Sequence, residues 1–551
     1  MLTVACYLLL GLLASAQGPK QPGAFAPTPD EQDRNLLAQF RIGTGGPELL
    51  GRLKNQVGDP QAMARARALI PLLGNEDFEI REKASRNLAG LGSTVLEVLR
   101  ENSNHPDAEI ARRVRDARES IEETQSSQVM GAIIRQLTRE KVPGTVEALM
   151  QLSEARGDPE WINLVERPLG RLASESIVAL EKAATSATPR VRWLAGKALC
   201  QTPEGKAFAR RLMKDPDHLV RWRVALALGR SGDESASLPV VVQELHLANQ
   251  IAGFEMEDWL HQVAGESGPA PLPWPGTAGG RAERQKAWEE WLGRRPVAKT
   301  MPNRTLTVLL DEGIVRMLDG QNQPIWELKN IAFPLDVEYL PGGRILVAEH
   351  GANRVTIRSS RNEVIWERTI EMPLAAQRTG RGTILITTAE LILEVDGAGT
   401  EVARFNPDGR LGNGGTSIMK AQMLPGGELG LVTQRRELGE DAKFVRLDSD
   451  WREVGRLGVH VGTSGGRIDW QANGNVLVPE LDKNRVVEYD PAGKELWIAD
   501  AEVPVFAIRT PKGTTLMTSR SDAGAKEVDK KGATIWNYKG ESRVTRAIRL
   551  P

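Results

Sequence analysis

Leu335-Asp336-Val337-Glu338-Tyr339-Leu340-Pro341-Gly342-Gly343 opens a phrase that continues through Arg344-Ile345-Leu346-Val347-Ala348-Glu349, Asn353-Arg354-Val355-Thr356-Ile357 and Val364-Ile365-Trp366. Each run is short, β-rich and bounded by Gly, Pro or Asn, the pattern of successive antiparallel strands. The turn after the first run recurs as Gly380-Arg381-Gly382, Pro425-Gly426-Gly427, Ala472-Asn473-Gly474 and Pro511-Lys512-Gly513, with its last glycine spaced by 39, 45, 47 and 39 residues.

Four strands per unit at a period near 40 residues predict a β-propeller. Opening strands at 335, 375, 419, 467, 505 and 545 count six blades. The last phrase, Arg543 to Pro551, is an opening strand with nothing after it, whereas Thr305 to Leu310, Ile314 to Leu318 and Ile325 to Leu328 supply the other three strands. Joining the two ends completes the first blade and removes the exposed sheet edges that otherwise recruit other chains.

The chain has 551 residues, 40% hydrophobic and 26% charged, enough for more than one core. A formal net charge of -1 provides no global field for nucleic acid, which is excluded as a first reading of the partner. Leu2 to Ala14 is apolar and is followed by Ala14-Ser15-Ala16, a small-x-small site expected to release the chain before Gln17 and send it to the periplasm or outside the cell. That removes Cys6 and leaves Cys200 alone, so packing without disulfides holds the fold. No later stretch is apolar over enough residues to span a membrane as a helix.

Between 30 and 265 the spacing changes to helical. Ile80, Ala84 and Leu88, then Val191, Ala195 and Leu199, then Val220, Val224 and Leu228 each share one helix face. Asp215-Pro216-Asp217-His218-Leu219-Val220-Arg221-Trp222-Arg223-Val224-Ala225-Leu226-Ala227-Leu228-Gly229 resembles the second helix of HEAT-like repeats, and Asn75 to Ala84 is a looser match. The resemblance implies an α-solenoid of helical hairpins about 30 residues apart. The expected organisation is a signal peptide over 1–16, a disordered segment over 17–29, a HEAT-like α-solenoid over 30–265, a Pro/Gly-rich linker with an amphipathic helix over 266–303, and a six-bladed β-propeller over 304–551. Trp288 and Trp291, three apart on that helix, are expected to pack between the two domains.

Asn353-Arg354-Val355 and Asn484-Arg485-Val486 resemble NHL-type repeats, while Asp490 to Trp497 and Asp529 to Trp536 resemble PQQ-type repeats. Trp326, Trp366, Trp497 and Trp536 in these phrases are expected to pack between blades. The count of six blades and the lack of a concentrated polar ligand set argue against a bound quinone, so no cofactor is expected. The Leu-Pro-Gly-Gly turn is similar in style to that of arylsulfotransferase-like proteins, whose chemistry uses channel histidines. Here the strand openings carry Asp336, Ala375, Lys420, Arg467, Phe506 and Arg546 instead. Only His350 and His460 among six histidines fall in the propeller, too few for a histidine-rich zinc site.

The reading is therefore an exported, noncatalytic binding or scaffolding protein for a protein or small extracellular ligand, with no metal. A propeller-based enzyme, arylsulfotransferase-like, hydrolase or lyase, is the alternative, to be favoured by a tight cluster of His, Arg and carboxylates at one channel mouth. Contacts are expected in the loops after each second strand: Glu349, His350, Asn353 and Arg354 in one blade, Arg435 and Arg436 in another, Glu480, Asn484 and Arg485 in the next, and Arg520 in the last.

Overall fold

The computed structural model describes residues 29–55, 61–91, 95–124, 127–157, 159–295, 303–380, 382–407, 415–435, 441–449, 451, 453–521 and 524–550. The apolar segment before Ala14 lies outside them, as does Arg436. Among the described residues the chain forms sixteen α-helices and then twenty-four strands.

The helices repeat a capping and stapling device. Asp77 and Asp217 accept from the backbone N–H of Glu79 and Leu219 at 2.8 Å and so begin Phe78–Ala89 and His218–Arg230. Arg192 and Arg221, one turn into their helices, each donate to the carbonyls of the preceding turn and reach an acid of the following hairpin, Asp215 at 2.8 Å and Glu244 at 2.6 Å. Val220, Val224 and Leu228 are fully buried, as their spacing requires. Gly196 brings its helix against them: an added Cβ there would fall 2.6 Å from Val224 Cγ2. Four helices, Ser127–Arg139, Thr145–Ala155, Pro159–Arg171 and Ile177–Ala183, occupy the stretch where the repeat pattern is faintest. Trp288 and Trp291 do not bridge the two units. They pack edge to face within the helical core, with Trp288 Nε1 donating to Glu257 at 2.8 Å.

The strands form six four-stranded antiparallel sheets. Blade 1 takes its inner strand, Val544–Arg549, from the end of the chain and pairs it with Thr305–Leu309, in register from Thr305 with Arg549 to Thr307 with Ala547. Blades 2 to 6 open on Pro334–Leu340, Ala375–Arg378, Ser417–Met423, Asp469–Trp470 and Pro504–Arg509. Two kinds of polar contact tie one blade to the next. Trp366, Trp497 and Trp536 donate from Nε1 to Gly397 O, Lys530 O and Asn322 Oδ1 at 2.8–3.0 Å, all three in the turns of the following blade. Along the channel, Gln377 and Gln422 each pair through their side-chain amide with the backbone of the next inner strand, at Met423 and Trp470. Glu338 and Asp469 accept from Arg378 N–H (2.8 Å) and Arg509 N–H (2.7 Å) at the same place in the repeat. The two remaining positions are Ile508 and Ile548, so both junctions of the closing strand lack this contact.

The helical unit packs against blades 1, 2 and 3 on the propeller face that carries the turn glycines. Asp258, fully buried, receives Arg344 Nη1 at 2.8 Å and Arg378. Phe254 stacks on Trp366, Arg167 meets the buried Glu394 at 2.7 Å, and Glu266 bonds Arg304 and Tyr339. Gly342 has φ +81 and lies so close to His261 that a Cβ would approach its Nδ1 to 2.6 Å, so this turn needs glycine for both conformation and clearance.

Removing residues 543–551 strips blade 1 of its inner strand; the propeller's melting temperature should fall by about 10 °C or more, and an unchanged midpoint in differential scanning calorimetry would contradict ring closure. Val224→Asp buries an unpaired carboxylate and should lower stability by roughly 3 kcal/mol or more. A change below about 0.5 kcal/mol in urea unfolding would mean that this helix face is not buried.

Candidate functional site

The propeller face opposite the helical contacts carries the loops after each second strand and the connections between blades. A cavity of about 380 Å³ opens there, at the mouth of the central channel. Lys420, Phe506 and Arg546 from the strand openings line it, and the openings Asp336 and Arg467 lie against Arg546 and each other. Asp336 is fully buried and is held by Arg467 (Nε to Oδ2, 3.2 Å), by Arg546 (Nε to Oδ1, 3.0 Å) and by the N–H of Ala376 (3.2 Å). Arg467 also reaches Glu338 Oε2 at 3.3 Å. The Arg546 guanidinium lies 4.1 Å over the Phe506 ring, a cation–π contact in a desolvated setting.

The connection from blade 4 to blade 5 runs across this mouth. Gly465 N–H donates to Met419 O (2.9 Å) in blade 4 and Gly466 N–H to Leu374 O (2.8 Å) beside blade 3, while Leu335 of blade 2 lies 3.3 Å from where a Gly465 Cβ would stand. Both glycines have positive φ, +95 and +70, which L side chains rarely adopt. Lys420 fixes the crossing by donating from Nζ to Gly465 O at 2.6 Å. Burial, with the Arg546 charge nearby, brings the Lys420 ammonium down to about 8. The cavity is what remains between this loop and blades 6, 1 and 2. Its walls are mostly apolar, Leu310, Phe333, Leu335, Leu374 and Val505 among them, and its charged lining is entirely basic.

Of the residues expected from sequence to make contacts, His350 and Arg520 line the cavity. His350 Nδ1 donates to Pro373 O at 3.2 Å, which directs its other nitrogen away from the backbone. Arg520 is exposed at the rim. Most of the others have a folding purpose that their sequence context does not reveal. Glu349 is fully buried and accepts from Arg354 (3.0 Å), Thr356 (2.6 Å) and Arg358 (2.6 Å). Glu480 repeats this with Arg485 and Tyr489, both at 2.7 Å. Asn353 and Asn484 turn the chain in the left-handed region and accept from Met372 N–H (2.9 Å) and Val503 N–H (2.8 Å). Arg435 is described but does not line the cavity.

The mouth does gather arginines, carboxylates and a histidine, the grouping that the enzyme reading requires. Its carboxylates, however, are spent on ion pairs and backbone bonds and none lines the cavity. Cys200 is buried in the helical unit with its thiol pushed up to about 12, which makes it a packing residue. Among the described residues no group of three or more His, Cys, Asp or Glu is placed to hold a metal ion. No helix there is long and apolar enough to cross a membrane.

The family model for HEAT repeats matches residues 177–247. No curated protein matches the chain. Solved structures that resemble it include a protein of unknown function from Bacteroides caccae, at 17% identity and TM-score 0.31, over 36% of this chain and 73% of that one. A virginiamycin B lyase from Staphylococcus aureus matches at 11% identity and TM-score 0.29, over 44% of this chain and 75% of that one. Regucalcin, a calcium-binding protein from Agrobacterium tumefaciens, matches at 14% identity and TM-score 0.30, over 45% and 81%.

Asp469, partly buried beside this channel, has its carboxyl raised to about 6 by burial. Its unfolded value is near 3.9, so the folded state holds the proton more tightly and stability falls as pH rises from about 4 through 6. Asp469→Asn keeps an acceptor for Arg509 N–H and removes the charge. It should therefore stabilise the protein by about 1–2 kcal/mol at pH 7.5 and by nearly nothing at pH 4. Urea unfolding at both pH values checks this; an effect that does not depend on pH would contradict it.

Proposed function

We propose that this is a noncatalytic binding protein that takes a small ligand at the open mouth of its propeller and offers the outer helical surface to a protein partner. A helical-repeat unit joined to a propeller is an architecture fit for binding and scaffolding. The observation that carries the reading is the cavity itself: concave, largely apolar, floored by a few buried polar groups and roofed by a pinned glycine loop, as ligand sites are. His350 and Arg520 contribute from the rim, while Glu349, Asn353, Arg354, Glu480, Asn484 and Arg485 hold the loops that present them. Binding outside the cytoplasm fits the apolar leader and the small-x-small site before Gln17. Mass spectrometry of the mature protein from the exported fraction should find Gln17 as its first residue.

One observation favours the enzyme reading. Lys420 has its ammonium drawn toward neutrality, where an amine can serve as a base. No acid stands opposite it in the cavity to complete an acid–base pair, so binding without turnover is the better account.

The test is retention of small molecules from a cell extract, detected by native mass spectrometry. Val505→Trp, which fills the cavity from its wall, should abolish retention, whereas a substitution on the exposed helical surface such as Val178→Ser should leave it intact. Equal retention by both variants would place recognition elsewhere, and release of a chemically altered ligand would favour the enzyme.

A further inference from the structure

Arg467, Arg546 and Lys420 are the buried cations at the mouth and Asp336, Glu338 and Asp469 the carboxylates that act on them, but no carboxylate lines the cavity, whose charged lining is entirely basic. Arg546 is 3% exposed and its Nη1 has no hydrogen-bond partner among the described residues. A buried guanidinium with an idle donor is costly unless something accepts from it. Lys420, also 3% exposed, is a second unsaturated donor: an ammonium carries three N–H groups, and one is accounted for by Gly465 O. Both residues line the same cavity.

The rest of the lining has another character. Leu335, Leu374, Phe333, Val505 and Phe506 form apolar walls, and about 380 Å³ is enough for a ring or a short chain. An inorganic anion would satisfy the two donors but leave these walls wetted. A neutral apolar molecule would cover the walls but leave the charge.

We propose that the mouth binds a small organic monoanion, an aryl or alkyl carboxylate whose charged end meets Arg546 and Lys420 and whose apolar body lies between the leucines and Phe506. This rests on the cavity being the ligand site and specifies the ligand's chemistry. A carboxylate supplies acceptors for both idle donors, and its plane suits a guanidinium's parallel donors. The Phe506 ring, already under Arg546, orients the guanidinium toward the acid. The glycine loop contributes shape: the N–H groups of Gly465 and Gly466 are spent on Met419 and Leu374, which pins it across the site.

Isothermal titration calorimetry on the full chain with 3-phenylpropanoate, its neutral amide, acetate and inorganic phosphate tests this. The acid should bind at least about tenfold more tightly than the amide, the difference of one charge-assisted hydrogen bond over a neutral one. Acetate and phosphate should neither bind measurably nor displace it. Lys420→Met and Arg546→Gln should each weaken the acid by tenfold or more while leaving the amide unaffected, with circular dichroism confirming the fold. Because Arg546 sits in the ring-closing strand, Lys420→Met is the decisive variant if Arg546→Gln unfolds. If the amide binds as tightly as the acid, the anion assignment falls and the cavity remains a ligand site. If phosphate displaces the acid, the apolar body is not recognised and the proposal also falls. If neither acid nor amide binds, and Val505→Trp leaves extract retention unchanged, the cavity is not the ligand site at all.

Discussion

The pairing of Thr305–Leu309 with Val544–Arg549 is the contact on which the rest depends. It joins residues more than two hundred apart in sequence, and until it forms the other five blades are an open sheet stack with two free edges. The same strand carries Arg546, so the act that closes the ring also delivers the guanidinium that reaches Asp336 from blade 2. Fold and site are therefore coupled through one strand. The two junctions on either side of it lack the channel-side amide or carboxylate contact that ties the other blades together, because Ile508 and Ile548 stand there. Ion pairs supply part of the attachment: Arg549 to Glu527 at 2.6 Å on one side and Arg546 to Asp336 on the other.

The helical unit gives the propeller a direction. Asp258 brings two buried guanidiniums together at one face, and removing such a carboxylate would strand both charges. The helices thus do more than append a second binding surface: they hold the turns of blades 2 and 3 that rest on them.

The propeller was legible because its turns repeat. Glycine is favoured where φ is positive, as at Gly343, Gly382, Gly427, Gly474 and Gly513, and its period counts blades without any knowledge of the strands. The site was less legible for the converse reason. Glu349 with Arg354 and Glu480 with Arg485 recur from blade to blade and drew attention as charged loop residues, yet recurrence is what an internal ion pair of the blade produces. Ligand-facing groups have no reason to repeat. Asp336, Ala375, Lys420, Arg467, Phe506 and Arg546 occupy one position in six blades with four kinds of chemistry, and the sequence shows that variation plainly. What it does not show is which of these charges satisfy one another, since that depends on distances across the channel. The long interval of 47 residues between Gly427 and Gly474 was a second signal, because the added residues include the loop that crosses the mouth.

Hydrogen exchange of the backbone amides in Val544–Arg549 and of Leu550 measures this closure directly. Leu550 N–H donates to Arg304 O at 2.8 Å, so these amides belong to the interior of a closed blade although they end the chain. The account predicts exchange as slow as in the inner strand of blade 2, Pro334–Leu340, with opening at the free energy of global unfolding of the propeller. Exchange as fast as in a fraying terminus would show that the ring is open in solution and that Arg546 is not held at the mouth.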